Sequence, residues 1–210
     1  MLNGEVMKTC YIVGAGDFDR GFTPGKNDLV IAADGGYTSL KEKGIRCDLL
    51  IGDMDSIHAV PSDVEILTYP IEKDETDMHL AYLEGYRHGY RRFEIYGGTG
   101  GRSDHTFANY CLLFNIKNNG CEARLYSANE VAYVIKNESV RVFGKPKSKI
   151  SVFAFGGVAR GVSIKGLYYE LTDGTLSPDF PLGVSNSFVC DSAEIGVRDG
   201  ELLVISEIQT

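Results

Sequence analysis

Short apolar runs that end in glycine or aspartate alternate with helical periodicities across the first 127 residues, and this alternation constrains the fold more than any other feature. Runs rich in β-branched and aromatic residues occupy positions 9–14, 29–33, 49–52, 64–69 and 93–96. Between them, positions 37–43, 76–89 and 104–118 carry helical patterns. Met78, Leu80, Ala81, Leu83 and Tyr86 form a broad apolar face in the second of these, and Phe107, Tyr110, Cys111 and Phe114 recur at three- and four-residue spacing in the third. Gly89 and Gly120 follow as stop signals. Strands alternating with helices predict a mainly parallel sheet covered on both faces.

After about residue 127 the pattern changes. Positions 131–135, 139–142, 150–155, 161–164, 167–171, 184–188, 193–197 and 201–205 read as short strands separated by Gly, Pro, Asp and Asn, with no long helical periodicity among them. That pattern predicts an antiparallel β-sandwich. Arg198-Asp199-Gly200-Glu201 predicts a hairpin turn joining the last two strands. The expected organisation is an α/β domain over residues 1–127, with a mainly parallel sheet, followed by an antiparallel β-sandwich domain over residues 128–210.

Charge and cysteine content narrow the function classes. Twenty-nine acidic side chains against 21 basic ones leave a formal net charge of −8. This weighs against nucleic acid as a partner, because binding a phosphate backbone needs surplus Lys and Arg. A small nucleotide remains compatible, since a bound cation reverses the local sign. Cys10, Cys47, Cys111, Cys121 and Cys190 are odd in number and show no CxxC spacing. They read as reduced thiols, mostly core filler, which points to a reducing compartment. The first apolar run is too short for a signal peptide, and no stretch approaches the about 18 apolar residues of a membrane span. The expected location is the cytoplasm, with no membrane partner.

Acidic residues gather where the predicted strands end. Asp34 follows the run at 29–33, Asp53 and Asp55 follow 49–52, and Glu72-Lys73-Asp74-Glu75-Thr76-Asp77 follows a third strand and opens a helix. In a parallel sheet the carboxyl ends share one edge, where ligands bind. Crowded carboxylates repel one another unless a cation lies between them, and an all-oxygen donor set favours Mg²⁺. For any single residue a turn or cap role is the simpler reading: Thr76 or Asp77 also suits a helix N-cap. Next to this set stands Gly97-Gly98-Thr99-Gly100-Gly101-Arg102-Ser103-Asp104-His105, again between a strand and a helix. Glycines admit phosphate close to backbone N–H groups, a helix N-terminus favours anions, and Arg102 can clamp phosphate. Gly14-Ala15-Gly16 after the first strand is a weaker hint of the same kind.

Ala33-Asp34-Gly35-Gly36, Ile51-Gly52-Asp53-Met54-Asp55-Ser56-Ile57, Glu72 to Asp77 and Gly97 to His105 together resemble the ordered motif series of the thiamine pyrophosphokinases. Gly166 to Leu171 followed by Gly183 to Ser187 is similar to that family's thiamine-side motif. The resemblance covers nearly the full chain. It implies an α/β domain and a β-sandwich that forms a homodimer. It also implies Mg²⁺-dependent transfer of the pyrophosphoryl group of ATP to the hydroxyl of thiamine, releasing AMP. On the matching motifs, Asp34, Asp53, Asp55 and Asp77 would hold metal and polyphosphate, with Asp53, Asp55 and Asp77 the catalytic carboxylates. Gly35, Ser56, Lys73, Asp74 and Thr76 would line the cleft. Gly98, Thr99, Arg102 and His105 would contact the nucleotide, and Tyr169, Ser185 and Asn186 would lie at the thiamine site. Some family members carry Trp where this chain has Tyr169, so a weaker cation–π contact with the thiazolium is expected. A pyrophosphokinase for another alcohol, such as a hydroxymethylpterin, and a Mg²⁺-dependent nucleotide phosphohydrolase are the alternatives that the residues alone leave open.

Overall fold

The computed structural model describes residues 8–52, 64–69, 72 and 74–208. The chain splits into two compact units, Met1–Ala128 and Asn129–Thr210.

In the first unit, apolar runs buried on both faces form strands β1 (Thr9–Val13), β2 (Leu29–Ala33), β3 (Leu49–Gly52) and β5 (Arg92–Tyr96). The more exposed β4 (Glu65–Thr68) and β6 (Glu122–Tyr126) flank them. All pairings among these strands are parallel, in the order β4-β3-β2-β1-β5-β6. The order in which strands are laid down therefore reverses at β1: the chain builds outward to β4, then returns to lay β5 on β1's other side. β6, whose residues alternate charged and apolar, was not expected from the sequence.

Helices α1 (Gly36–Glu42), α2 (Asp77–Arg87) and α3 (Ser103–Asn118) connect the strands. Thr76 caps α2: in extended conformation, its Oγ1 accepts the N–H of His79 at 3.2 Å, satisfying one of the helix's free donors. Gly89 and Gly120, at φ +85° and +72°, end α2 and α3, as left-handed residues commonly do. Alternate side chains of the sheet face opposite ways. Phe93 meets Tyr82 of α2 edge-on at 5.0 Å, whereas Val13, Val30, Ala32, Leu50 and Tyr96 pack with Leu40 of α1. The expected apolar stripe of α3 is offset from the real one. Asn109, Leu112, Leu113, Phe114 and Ile116 are buried, while Phe107 is 59% exposed and Cys111 is exposed.

The second unit contains two antiparallel sheets. One orders as β12-β9-β14-β7, from β7 (Glu130–Lys136), β9 (Lys149–Ala154), β12 (Asn186–Ser187) and β14 (Glu201–Glu207). The other orders as β11-β10-β13-β8, from β8 (Ser139–Phe143), β10 (Ala159–Lys165), β11 (Leu171–Leu176) and β13 (Ser192–Gly196). Ile150, Val152, Leu202 and Val204 of the first sheet share one core with Val162, Ile164, Leu176 and Ile195 of the second, so the expected sandwich is present.

Three segments depart from the strands and turn expected of them. No strand spans 167–171: Leu167 makes an isolated bridge to Phe188, and the Glu170 carboxylate accepts the Gly166 N–H at 2.8 Å, closing a turn before β11 begins. The run at 184–188 contributes only Asn186–Ser187, because Ser185 takes a left-handed φ of 59°. Asp199-Gly200 is not a hairpin: β13 pairs with β10 and β8, and β14 with β7 and β9. The two residues carry the chain from one sheet to the other. Asp199 exchanges backbone bonds with Arg160 at 2.7 and 3.1 Å, and the Gly200 N–H donates to Asn137 Oδ1 at 2.9 Å.

All five cysteines are free thiols. Cys10 and Cys121 are buried as expected of filler, but Cys111 and Cys190 are exposed.

Candidate functional site

The order reversal at β1 leaves a crevice at the carboxyl ends of β1 and β5, where ligands bind in open parallel sheets. Two glycine turns meet there. The Gly14 N–H donates to the Tyr96 carbonyl at 2.9 Å, Gly16 to Gly97 at 2.8 Å and Asp17 to Thr99 at 2.8 Å. The β1–β5 ladder thus continues three donors beyond the strands. A Cβ on Gly16 would overlap the Thr99 carbonyl, and one on Gly97 would overlap that of Gly14. Side chains at these positions would force the turns apart. The chain beyond the first turn is held by rings: Phe18 lies edge-on to Tyr96 at 5.4 Å, and Phe22 stacks on Tyr96 at 4.9 Å and on Tyr11 at 4.2 Å. Burial raises the Tyr96 hydroxyl pKa, and that of Tyr126, stacked on the same ring at 4.8 Å, rises to about 12.

A cleft of about 460 Å³ opens at these turns. Gly14, Ala15 and Gly16 line it from β1, Asp34 from β2, Thr76 and Asp77 from α2, and Gly98, Thr99, Arg102, His105 and Asn109 from β5 and α3. Among the sequence-derived candidates, Asp34, Thr76, Asp77, Gly98, Thr99, Arg102 and His105 therefore share one cleft. Asp34 sits at φ 54° with its N–H donated to the Ile51 carbonyl at 2.8 Å. A Cβ at Gly52 would meet Asp34 Oδ1 at 2.7 Å, so this carboxylate lies against the end of β3. Gly35 is half-buried beside Ala15 at the start of α1, and Asp74 is exposed; neither is among the lining residues. Asp53, Asp55, Ser56 and Lys73 lie outside the described residues.

Arg102 precedes α3 and pairs with Asp104 at 2.6 Å. The guanidinium holds the Asp104 carboxyl below the usual carboxylate range. Both groups are exposed, so the pair contributes little to stability, and a phosphate at the cleft would compete with Asp104 for the guanidinium. Asn109 escaped the sequence reading because an isolated Asn in a helical stretch carries no motif. Its Nδ2 donates to the Gly98 carbonyl at 2.8 Å.

In the second unit, Tyr169 and Asn186 are tied together. The Tyr169 N–H donates to Asn186 Oδ1 at 3.0 Å, and Asn186 Nδ2 donates to the Tyr169 carbonyl at 2.7 Å. Asn186 is buried, while Tyr169 is 65% exposed, its ring edge-on to that of Tyr168. The Ser185 N–H donates to Ser151 Oγ at 3.1 Å.

The fold is that of a doubly wound α/β unit with a glycine-lined cleft, in a chain that also contains a β-sandwich. Residues 24–125 match the family described as "Thiamin pyrophosphokinase, catalytic domain", and residues 133–202 match "Thiamin pyrophosphokinase, vitamin B1 binding domain". The chain belongs to the thiamine pyrophosphokinase family, a family of pyrophosphate-transferring enzymes. It is 27% identical to a thiamine pyrophosphokinase of Bacillus subtilis, over 95% of this chain and 98% of the relative. Among solved structures, a thiamin pyrophosphokinase family protein of Enterococcus faecalis is 25% identical with a TM-score of 0.82, covering 97% of this chain and all of the other. A thiamine pyrophosphokinase of Bacillus subtilis superposes with a TM-score of 0.84 over 96% of this chain and all of the other; at 23% identity it speaks for the fold alone.

The zipped turns generate a direct expectation. Gly16→Ala should break the Gly16–Gly97 and Asp17–Thr99 bonds and accelerate hydrogen exchange at the amides of residues 16 and 17 by roughly tenfold or more. Unchanged protection at both amides would contradict the packing described.

Proposed function

We propose that the chain transfers the pyrophosphoryl group of ATP to the hydroxyl of thiamine, giving thiamine diphosphate and AMP. The observation that carries this reading is the cleft between two glycine turns with Asp34 and Asp77 at its wall, in a chain of this family. The polyphosphate lies against the turn at residues 97–101 and the start of α3, where backbone N–H groups and Arg102 meet its charge. The hydroxyl oxygen of thiamine attacks the β-phosphorus. A new O–P bond forms, the bond from the β-phosphorus to the α-bridging oxygen breaks, and AMP departs with that electron pair. Asp77 or Asp55 takes the hydroxyl proton. Such transfers depend on positioning and charge neutralisation more than on covalent help from the protein.

The donor set fits a hard divalent cation. Asp34 and Asp77 supply carboxylate oxygens to one cleft, and Asp53 and Asp55 follow directly on β3, whose last residue, Gly52, adjoins the Asp34 carboxylate. These four are the proposed ligands of Mg²⁺, which when bound offsets phosphate charge. Gly35, Ser56, Lys73, Asp74 and Thr76 are proposed to support the same end of the site.

Tyr169, Ser185 and Asn186 are proposed to serve thiamine. The Asn186 clamp holds the Tyr169 backbone while leaving the ring open to a cationic thiazolium. Tyr168, Phe180, Leu182, Val184 and Val189 are also exposed in this unit, more apolar surface than a lone sandwich needs, and a second copy of the chain is the proposed cover. The free thiols are consistent with work in the cytoplasm, and no helix among the described residues is long and apolar enough to cross a membrane.

Purified protein with MgATP and thiamine should yield thiamine diphosphate and AMP in equal amounts. ADP with thiamine monophosphate, or phosphate release without an acceptor, would refute the reaction. Asp34→Asn and Asp77→Asn should each lower kcat by about 100-fold or more; near-normal turnover in both would remove them from the site. Tyr169→Ala should weaken thiamine binding by about 0.5–2 kcal/mol and leave ATP binding intact, as read by titration calorimetry. Sedimentation at micromolar concentration should show a dimer; a monomer would discard the proposed cover.

A further inference from the structure

Asn109 is a polar residue on the buried face of α3. It is 5% exposed, on the face that also buries Leu112, Leu113 and Ile116. A carboxamide in such a place costs free energy unless it is hydrogen-bonded. Its Nδ2 reaches the Gly98 carbonyl at 2.8 Å, across eleven positions of sequence. Gly98 is enclosed at that point: an added Cβ would meet Leu125 Cδ1 at 2.7 Å and Asn109 Nδ2 at 3.0 Å. The turn is therefore held from two directions, by the N–H groups of the β1 turn at Gly97 and Thr99 and by Asn109 at Gly98. In a planar trans peptide the carbonyl and the following N–H point opposite ways. Fixing the Gly98 carbonyl on α3 therefore also fixes the direction of the Thr99 N–H. Both residues line the cleft, as does Asn109 itself.

We propose that Asn109 is a positioning residue for the nucleotide polyphosphate: its carboxamide sets the Gly98–Thr99 peptide plane and with it the pose of the glycine turn. This rests on the reading of the cleft as the ATP site. Packing alone would be served by Leu at this position, which has the same number of side-chain heavy atoms and matches its apolar neighbours. The amide bond is what Leu cannot supply.

The test titrates a non-hydrolysable ATP analogue with Mg²⁺ into the wild-type protein and into Asn109→Leu and Asn109→Asp, and measures KM for both substrates. Asn109→Leu should stay folded with a thermal midpoint lowered by a few degrees at most while binding the analogue about tenfold or more weakly, because the Gly98 carbonyl loses its donor; its KM for thiamine should stay within about twofold. Asn109→Asp, close to isosteric, covers the case in which the Leu variant fails to fold. Ionised, its carboxylate faces the Gly98 carbonyl without a proton to give; protonated, it donates again. Its affinity for the analogue should thus rise toward wild type between about pH 8 and about pH 5.5, beyond any change in the wild-type protein. Equal affinity in wild type and a folded Leu variant, or an Asp variant as tight as wild type at about pH 8, would overturn the role of Asn109 and leave the cleft assignment standing. A wild-type protein that does not bind the analogue would overturn both.

Discussion

The backbone pairing between the turn after β1 and the turn after β5 is the contact on which the rest of the first unit's site depends. A parallel sheet whose strand order reverses at one strand opens a gap at its carboxyl edge. Here the gap is bridged by three N–H donors, from Gly14, Gly16 and Asp17. They can reach because neither Gly16 nor Gly97 has a side chain. The two turns form one backbone floor, Asp34 and Asp77 stand at its wall, and α3 starts at its rim. An anion meeting this floor finds amides, a helix start and Arg102; a cation meeting the wall finds carboxylates. A polyphosphate paired with a hard divalent cation satisfies both.

Rigidity is supplied from behind the floor. Phe18 and Phe22 pack on Tyr96 and Tyr11, so the segment after β1 is anchored by ring contacts in place of a helix. Asn109 ties the second turn to α3. The second unit uses the same kind of device in its own candidate site, where the Asn186 carboxamide binds both the N–H and the carbonyl of Tyr169. In each case a buried carboxamide fixes backbone and leaves the neighbouring functional groups open to the cleft or to solvent.

Much of this was legible in the residues. The strands β1, β2, β3 and β5 announce themselves because they are buried on both faces and so read as unbroken apolar runs. Asp34 and the glycines at 97–101 were readable because strand exits in a parallel sheet converge whatever the details between them. What escaped was long-range. The strand β6 alternates charged and apolar residues, and its place beside β5 is decided by pairing that no local pattern encodes. Asp199-Gly200 has the composition of a hairpin, yet β13 joins one sheet through residues near 140 and 160 and β14 the other through residues near 133 and 152. The α3 stripe was read from Phe107 and Cys111, which are exposed, because periodicity marks a face without saying which of two adjacent faces meets the sheet. Asn109 was invisible for the same reason: its partner lies eleven residues away through space that only the fold defines.

Amide chemical-shift mapping with a non-hydrolysable ATP analogue and Mg²⁺ decides whether polyphosphate is received on the paired glycine turns at the β1–β5 junction. The largest shifts should fall at Gly14, Gly16, Asp17 and residues 97–101, with smaller ones along the first turn of α3. Saturable binding whose shifts fall elsewhere and leave both turns unmoved would contradict it.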